Sequence, residues 1–165
     1  WMARKGVDLL APIMRELGGG FELQYTGGPA AQSESAGMPA NMHDLGRLSG
    51  PQVIAAMQDA DAFLFPSRSE GLPLVAIEAM ACGLPVIGVR ETSLSEVIED
   101  GVTGLLCPRD DVPAFVMAAQ ALAGDIQRRD GMGHAAYRAA NTRFSFDSMV
   151  DAYVRHYQAM HAAAA

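Results

Sequence analysis

The chain has 165 residues, of which 12 are basic and 19 acidic, and its formal net charge is −7. Its length corresponds to one domain, and a hydrophobic content of 50% excludes an intrinsically disordered chain. The negative charge argues against nonspecific binding to nucleic acid or anionic membranes, because both attract a basic face. Two cysteines, Cys82 and Cys107, exclude a disulfide framework or a zinc site as the organising feature.

The pattern of apolar residues predicts helices and strands in regular alternation. In chain order the predicted elements are helix Val7–Leu17, strand Phe21–Thr26, loop Ala30–Ala40, strand Asn41–Leu45, helix Pro51–Ala60, strand Ala62–Phe65, helix Leu74–Ala81, strand Pro85–Val89, helix Leu94–Glu99 and strand Gly104–Cys107. Three more helices follow, predicted at Pro113–Ala123, at Ile126–Thr142 and from Phe146 into the alanine tail.

This alternation predicts an α/β fold, with a Rossmann-like parallel sheet of about five to six strands, helices on both faces and a helical C-terminal region. Ligands bind at the carboxyl ends of the strands in such sheets. The loops expected at that edge are Thr26–Pro29, Gly46–Leu48, Pro66–Pro73 and Gly88–Ser93.

Two glutamates flank the start of the predicted helix Leu74–Ala81. That helix is apolar nearly all round, so we expect it to be buried and Glu78 to serve as an acceptor for ligand hydroxyls; the alternative is a solvated helix acid. Gly71 would let a ligand approach the backbone, and the first N–H groups of the helix would attract an anion. Glu70 stands beside them, either as a second acceptor for hydroxyls or in a plain polar turn. Together these features predict a site for a sugar phosphate or nucleotide sugar.

Residues 66–87, with the sequence PSRSEGLPLVAIEAMACGLPVI, resemble the donor-binding half of retaining GT-B glycosyltransferases of group 1, the family-four type. The seven residues between the two glutamates match the E-x7-E spacing of that family. The resemblance covers essentially the whole chain through further segments: Lys5-Gly6, Thr26-Gly27-Gly28, Asp44-Leu45-Gly46, Glu96-Val97-Ile98 with Asp100-Gly101 and Gly104, Phe144-Ser145-Phe146, and Tyr153 with Tyr157.

The resemblance implies a role for each matching residue. Glu78 would hold the ribose hydroxyls of the donor nucleotide, Glu70 would hold hydroxyls of the donor sugar, and Lys5 would neutralise the diphosphate. We take Lys5 and Glu70 as the catalytic pair. The remaining implied contacts come from Gly71, Leu72 and Leu74 through backbone amides facing the sugar and distal phosphate, from Gly27 and Gly28 in a glycine-rich turn, and from Arg47 and Leu48 near the base.

The activity implied by the resemblance is sugar transfer from a nucleoside diphosphate sugar to an acceptor with retention, without a metal or other cofactor. Residues 1–165 would form the donor-binding domain. A saccharide, lipid or other acceptor would be bound mainly by an N-terminal domain absent from this chain, so alone the chain is expected to bind donor weakly and transfer nothing. We expect a cytoplasmic location; attachment to the inner membrane through the absent domain is left open.

Two features of the sequence depart from the family pattern, and a third feature suggests a metal site. Thr92-Ser93 replaces two glycines, and loop 30–40 lacks the helix usual between two of the strands. Asp59-Ala60-Asp61 spells the DxD of metal-dependent glycosyltransferases, but it precedes a buried strand at the wrong end for a ligand. We therefore predict a turn or cap role for it.

Two other interpretations remain at the level of sequence. The first keeps the fold but changes the reaction, to a nucleotide-sugar epimerase or a phosphorylase. A phosphorylase would need a lysine that binds pyridoxal phosphate, and the one lysine of the chain, Lys5, is misplaced for it. The second is a non-catalytic module of the flavodoxin or receiver type, although the acidic cluster and late lysine of a receiver are both missing.

Overall fold

The computed structural model describes residues 2–26 and 38–163, and in them helices and strands alternate as predicted. The elements are, in chain order, α1 Met2–Lys5, α2 Val7–Leu17 with a following 3₁₀ turn Gly18–Gly20, β1 Leu23–Tyr25, β2 Met42–Asp44, α3 Gly50–Gln58, β3 Phe63–Phe65, α4 Leu74–Ala81, β4 Val86–Val89, α5 Leu94–Val97, β5 Gly104–Cys107, α6 Val112–Gly124, α7 Ile126–Arg143 and α8 Phe146–Ala163. The predicted glycine-rich turn at Gly27 and Gly28 lies outside the described residues.

Side chains cap three of the helices. Ser49 and Gln52 form a capping box at the start of α3, and the carboxylates of Asp111 and Asp125 accept backbone N–H groups at the starts of α6 and α7. Each cap satisfies N–H groups that have no partner within the helix. The helix α1 was not predicted, since its four residues are too few for an apolar period.

The strands are parallel, but they form two sheets where one was predicted. One sheet pairs β1 with β2, and the other has the order β3-β4-β5. No backbone ladder between described residues joins the two sheets. Beside the two-stranded sheet, the side-chain amide of Asn41 donates to the carbonyl oxygens of Met14, Gly18 and Phe21 at 3.3, 3.0 and 2.9 Å, which ties the end of α2 to the segments just before β1 and β2. The described residues contain five strands, divided two and three between these sheets, whereas a single sheet of about five to six strands was predicted.

Two hydrophobic clusters lie on opposite faces of the three-stranded sheet, which confirms helices on both faces. Val86 packs on the face covered by α4 and α7, and Ile87 on the face covered by α2 and α6. This alternation follows from the period of two along a strand. Strand β3 was expected to be buried on both faces, but its three residues are half-buried.

The last helix, α8, carries its apolar stripe in the open. Met149, Tyr153, Tyr157 and Met160 follow one another at helical spacing, and all four are exposed, with no described element covering them. In the part of the chain that the structure describes, α8 and the other helices all fall short of the length and apolar character needed to cross a bilayer.

Candidate functional site

Gly6 brings the start of the chain against the loop that follows β3. Its φ is 68°, and a Cβ built on it would overlap the carbonyl oxygen of Pro66. Only glycine accepts both conditions without strain. Beside this contact, the backbone N–H of Arg68 donates to the carbonyl oxygen of Arg4 at 2.9 Å. The glycine of the Lys5-Gly6 pair therefore permits the approach that positions the lysine.

Lys5 and Glu70, the predicted catalytic pair, meet at this junction. Nζ of Lys5 donates to Oε1 of Glu70 at 2.7 Å, and the same nitrogen lies 5.9 Å from the ring centroid of Phe65. The lysine and glutamate side chains are 27% and 12% exposed, so both are partly shielded and neither is sealed from solvent. The structure thus brings the two residues together, while their roles stay predictions.

Glu70 is ionised at neutral pH. Burial opposes its ionisation, but hydrogen bonds from Lys5 and Ser67 and the positive charges of Lys5 and Arg4 outweigh burial, so the pKa of Glu70 lies below its ordinary value. Ser67 is fully buried, and its Oγ donates to Oε1 of Glu70 at 2.5 Å. We did not single out Ser67 from the sequence; the available signal was a polar residue between a buried strand and the glutamate.

Helix α4 begins beside this pair and presents backbone N–H groups. Among the described residues, the amides of Gly71, Leu72 and Val75 have no acceptor. The amide of Leu74 differs from the prediction, because it already donates to the carbonyl oxygen of Leu72 at 2.9 Å. A Cβ built on Gly71 meets no atom within 4 Å, so the space in front of it is open. Free N–H groups at a helix start, next to a lysine, can receive an anion.

Glu78 lies on the exposed face of α4, which corrects the expectation of a buried helix. Leu74 is 60% exposed and Glu78, one turn later, is exposed, whereas Ala76 and Met80 on the other face are fully buried. The sequence of the helix is apolar nearly all round because Leu74 also lies on its open side. Within the described part of the chain the Glu78 carboxylate has no hydrogen-bond or ion-pair partner. Since helical side chains lean toward the N-terminus, it can accept hydrogen bonds from a ligand at the helix start.

Arg68 joins three segments next to the site. Its guanidinium donates to both carboxylate oxygens of Asp8 at 2.7 and 2.8 Å, and to Asp110 at 2.5 Å. The hydrogen bonds from Arg68 lower the pKa of Asp8, and the same contacts raise the pKa of Arg68. The sequence pattern does not indicate this arrangement, because 60 and 42 residues separate the partners.

The loop after β4 reaches the site through the two residues that replace the expected glycines. Thr92 Oγ1 donates to the carbonyl oxygen of Val89 at 2.9 Å and accepts the N–H of Leu94 at 3.2 Å. Ser93 Oγ donates to the backbone carbonyl oxygen of Glu70 at 3.2 Å. Glycines could make neither set of side-chain bonds, so this departure from the family pattern ties the loop to the site.

Arg47 and Leu48, predicted near a nucleotide base, follow β2. Arg47 is exposed and Leu48 is half-buried, after a turn in which Gly46 has a φ of 67° and donates its N–H to Asp44 at 2.8 Å. No contact described in the structure joins Arg47 or Leu48 to the lysine–glutamate pair. The structure therefore leaves their expected role a prediction.

The two aspartates of the DxD sequence have structural roles. Asp59 is the C-cap residue of α3, and the carboxylate of Asp61 lies 3.0 Å from a guanidinium nitrogen of Arg129. These contacts agree with the predicted turn or cap role. Across residues 2–26 and 38–163, no group of three or more His, Cys, Asp or Glu side chains is arranged to hold a metal ion.

Comparison with known proteins identifies the family of this chain. The family model of glycosyl transferases group 1 matches residues 1–125. The D-inositol 3-phosphate glycosyltransferase of Pseudarthrobacter chlorophenolicus is 34% identical over 163 residues, covering 93% of this chain and 38% of that protein. The match favours the glycosyltransferase interpretation over the phosphorylase and receiver-type alternatives.

Solved structures agree on the fold. Sucrose-phosphate synthase from Thermosynechococcus elongatus has a TM-score of 0.85 at 25% identity, covering 98% of this chain and 43% of that chain. HepE of Anabaena, solved in complex with UDP-glucose, has a TM-score of 0.83 at 18% identity, covering 95% of this chain and 46% of that chain. At this identity the likeness shows the fold alone. This chain spans about two fifths of the length of these proteins. Its parallel α/β architecture is that of GT-B enzymes, and the chain belongs to the glycosyl transferases group 1 family.

Proposed function

We propose that this chain is the donor-binding half of a retaining glycosyltransferase whose donor is a nucleoside diphosphate sugar. The observation that carries the proposal is the 2.7 Å contact of Lys5 with Glu70 beside the unpaired amides at the start of α4. A cation and free N–H groups suit a diphosphate, and a carboxylate suits sugar hydroxyls. HepE, a protein of the same fold, was solved with a ligand of this class, UDP-glucose.

The donor would lie along the start and exposed face of α4. The distal phosphate would accept the N–H groups of Gly71, Leu72 and Val75, with Val75 in place of the internally bonded Leu74 amide. Glu78 would accept the ribose hydroxyls, since it is exposed on the same helix. Glu70 would accept hydroxyls of the sugar, and its lowered pKa keeps it an acceptor at neutral pH.

The chemical contribution of these groups is to stabilise the leaving diphosphate. The bond between the anomeric carbon and the phosphate oxygen breaks, the acceptor oxygen bonds to that carbon on the same face, and the departing phosphate takes the acceptor proton. Lys5 and the free amides lie where negative charge grows, and removing one such donor typically lowers the rate by a factor of about 10² to 10³. Glu70 is held by Lys5 and Ser67, which suits binding better than nucleophilic attack.

The acceptor, whether a saccharide, a lipid or another molecule, would be bound mainly by a separate N-terminal domain. We expect the 165-residue chain alone to bind donor weakly and to transfer nothing. An assay with a radiolabelled sugar nucleotide and candidate acceptors tests this, and transfer by the chain alone would contradict it.

The central experiment is a calorimetric titration of the chain with UDP, GDP and ADP and their glucose or mannose conjugates. We expect one nucleotide to bind best, and Lys5→Met and Glu78→Gln each to weaken its binding by about 1 to 3 kcal/mol, the scale of a hydrogen bond to a charged group. Glu16→Gln is the matched control, because Glu16 is exposed near the far end of α2. Equal affinities in all four proteins, or no binding of any nucleotide, would overturn the proposal.

A further inference from the structure

Glu70 is fixed at two places, its carboxylate and its backbone. The carboxylate accepts from Lys5 and Ser67, and the backbone carbonyl oxygen accepts from Ser93 Oγ at 3.2 Å. The carboxylate contacts come from residues that precede Glu70 in the chain, Lys5 at its start and Ser67 in the same loop, and the backbone contact comes from the loop after β4. The hydroxyl of Ser93 is the one described side chain that binds the Glu70 carbonyl.

Ser93 is itself held firmly. Its neighbour Leu94 is fully buried against Gly88, where an added Cβ would lie only 2.7 Å from the leucine Cδ1. Thr92 bonds to both ends of the same turn through its Oγ1. The absence of a side chain at Gly88 and the hydroxyl of Thr92 therefore fix the backbone from which the serine hydroxyl projects.

The contact with Ser93 determines the orientation of one peptide group. The described chain contains no cis peptide bond, and in a planar trans peptide the C=O and N–H groups point in opposite directions. When the Glu70 carbonyl is directed at Ser93, the N–H of Gly71 must be directed away from it. That N–H has no acceptor among the described residues, and Gly71 is exposed.

We infer that Ser93 is a positioning residue that orients the Glu70–Gly71 peptide so that the Gly71 N–H faces the diphosphate of the donor. This inference rests on the proposed function. An N–H group that is already oriented loses less entropy on binding an anion than an N–H group that must first be ordered. The two glycines expected at Thr92 and Ser93 could not hold the peptide in this way, so the device is particular to sequences with a hydroxyl here.

The test compares Ser93→Ala with Ser93→Thr, which keeps a hydroxyl, and with Ser95→Ala. Ser95 is the matched control, because it lies two residues away in the first turn of α5 and its hydroxyl donates to the Thr92 carbonyl oxygen at 2.9 Å without touching Glu70. Each protein is titrated with UDP, GDP and ADP and with the corresponding nucleosides. Loss of one hydrogen bond predicts about fivefold weaker diphosphate binding for Ser93→Ala, unchanged nucleoside binding, and recovery in Ser93→Thr.

A second measurement needs no ligand. In a proton–nitrogen correlation spectrum, the Gly71 amide is expected to shift and to exchange with solvent differently in Ser93→Ala, and to return toward its original position in Ser93→Thr. If no nucleotide binds the original chain, the proposed function fails, while the Gly71 amide still tests the positioning role. Should Ser93→Ala not fold, Ser93→Cys, with its weak thiol donor, replaces it. An unchanged Gly71 amide, an equal loss of nucleoside binding, or the same loss in Ser95→Ala would overturn the inference.

Discussion

Nζ of Lys5 and Oε1 of Glu70 lie 2.7 Å apart although 65 positions separate them in the chain. The contact depends on the close approach of the Gly6 backbone to Pro66, so the ion pair and the fold of the first six residues are formed together. A lysine–glutamate pair beside free helix N–H groups gives one small region both a cation and an anion. A ligand carrying phosphates and hydroxyls uses both.

Gly6→Ala is expected to destabilise the protein by more than about 2 kcal/mol. The alanine would have to adopt a left-handed φ, and its Cβ would overlap the Pro66 carbonyl oxygen. Gly19→Ala is the control, because its added Cβ meets no atom within 4 Å and its φ is not left-handed. Urea unfolding monitored by circular dichroism measures both variants. Equal midpoints for the two would show that the approach of Gly6 to Pro66 is not needed.

The pH dependence of stability is expected to report the Glu70 carboxylate. Its pKa in the folded protein lies below the ordinary value of 4.5, so the ionised form favours folding. The resulting stability is fully present above about pH 4.5, and it is lost as the pH falls through the lower, folded-state pKa. Glu70→Gln should therefore be less stable than the original chain by about 1 to 2 kcal/mol at pH 7 and equally stable in strong acid.

The measurement is urea unfolding of both proteins between pH 7 and pH 3. Glu16→Gln provides the comparison for a carboxylate that is exposed and distant from the pair. A stability difference between Glu70→Gln and the original chain that stays constant over the whole range would contradict the role given to the ionised pair.

The two thiols are expected to react slowly, and Cys107 more slowly than Cys82. Burial, with the nearby charges of Asp100 and Asp111, raises the pKa of Cys107 to about 12. Burial and the charge of Glu78 also raise the pKa of Cys82, but Cys82 is only half-buried. At pH 8 about one Cys107 thiol in 10⁴ is then a thiolate, against about one in four for an ordinary cysteine with a pKa near 8.5. Mass spectrometry after iodoacetamide should find Cys82 modified first and Cys107 only after unfolding; early labelling of Cys107 would contradict its burial.

Local sequence was sufficient to predict most elements because their ends carry strong signals. Helix Leu74–Ala81 lies between Pro73 and Gly83, and strand Gly104–Cys107 follows the turn at Gly101; both were predicted to the residue. The spacing of the two glutamates likewise depends on one loop and one helix, and the site it predicts stays a prediction. Features that a single segment determines could be predicted from that segment.

Features that depend on partners distant in sequence could not be predicted in this way. An apolar period gives the strands but not their pairing, so the division into two sheets was missed. A nearly all-apolar helix gives no indication of which face is open, so helix Leu74–Ala81 was expected to be buried, whereas its face with Glu78 is exposed. The bonds of Arg68 to Asp8 and of Ser93 to Glu70 join residues that no motif connects.

Gly71→Ala is expected to separate binding from stability. Nothing lies within 4 Å of the added Cβ and the backbone is not left-handed, so the free energy of unfolding should change by less than about 0.5 kcal/mol. The methyl group would nevertheless occupy the open space beside the Gly71 N–H where the proposed diphosphate binds. We expect at least about tenfold weaker binding of the preferred nucleoside diphosphate, as for other groups that block a close backbone contact.

Gly131→Ala is the matched control for this variant. Its added Cβ also meets no atom within 4 Å. Gly131 lies in α7, near Gly133, which contacts Gly83 just after the C-terminal end of α4, whereas the site lies at the N-terminal end of α4. This control should bind nucleotide normally and be slightly more stable, because alanine favours a helix interior over glycine. Calorimetry and thermal unfolding on the same samples measure both quantities. Undiminished binding by folded Gly71→Ala would exclude the donor from the start of α4 and would move the proposed phosphate site elsewhere.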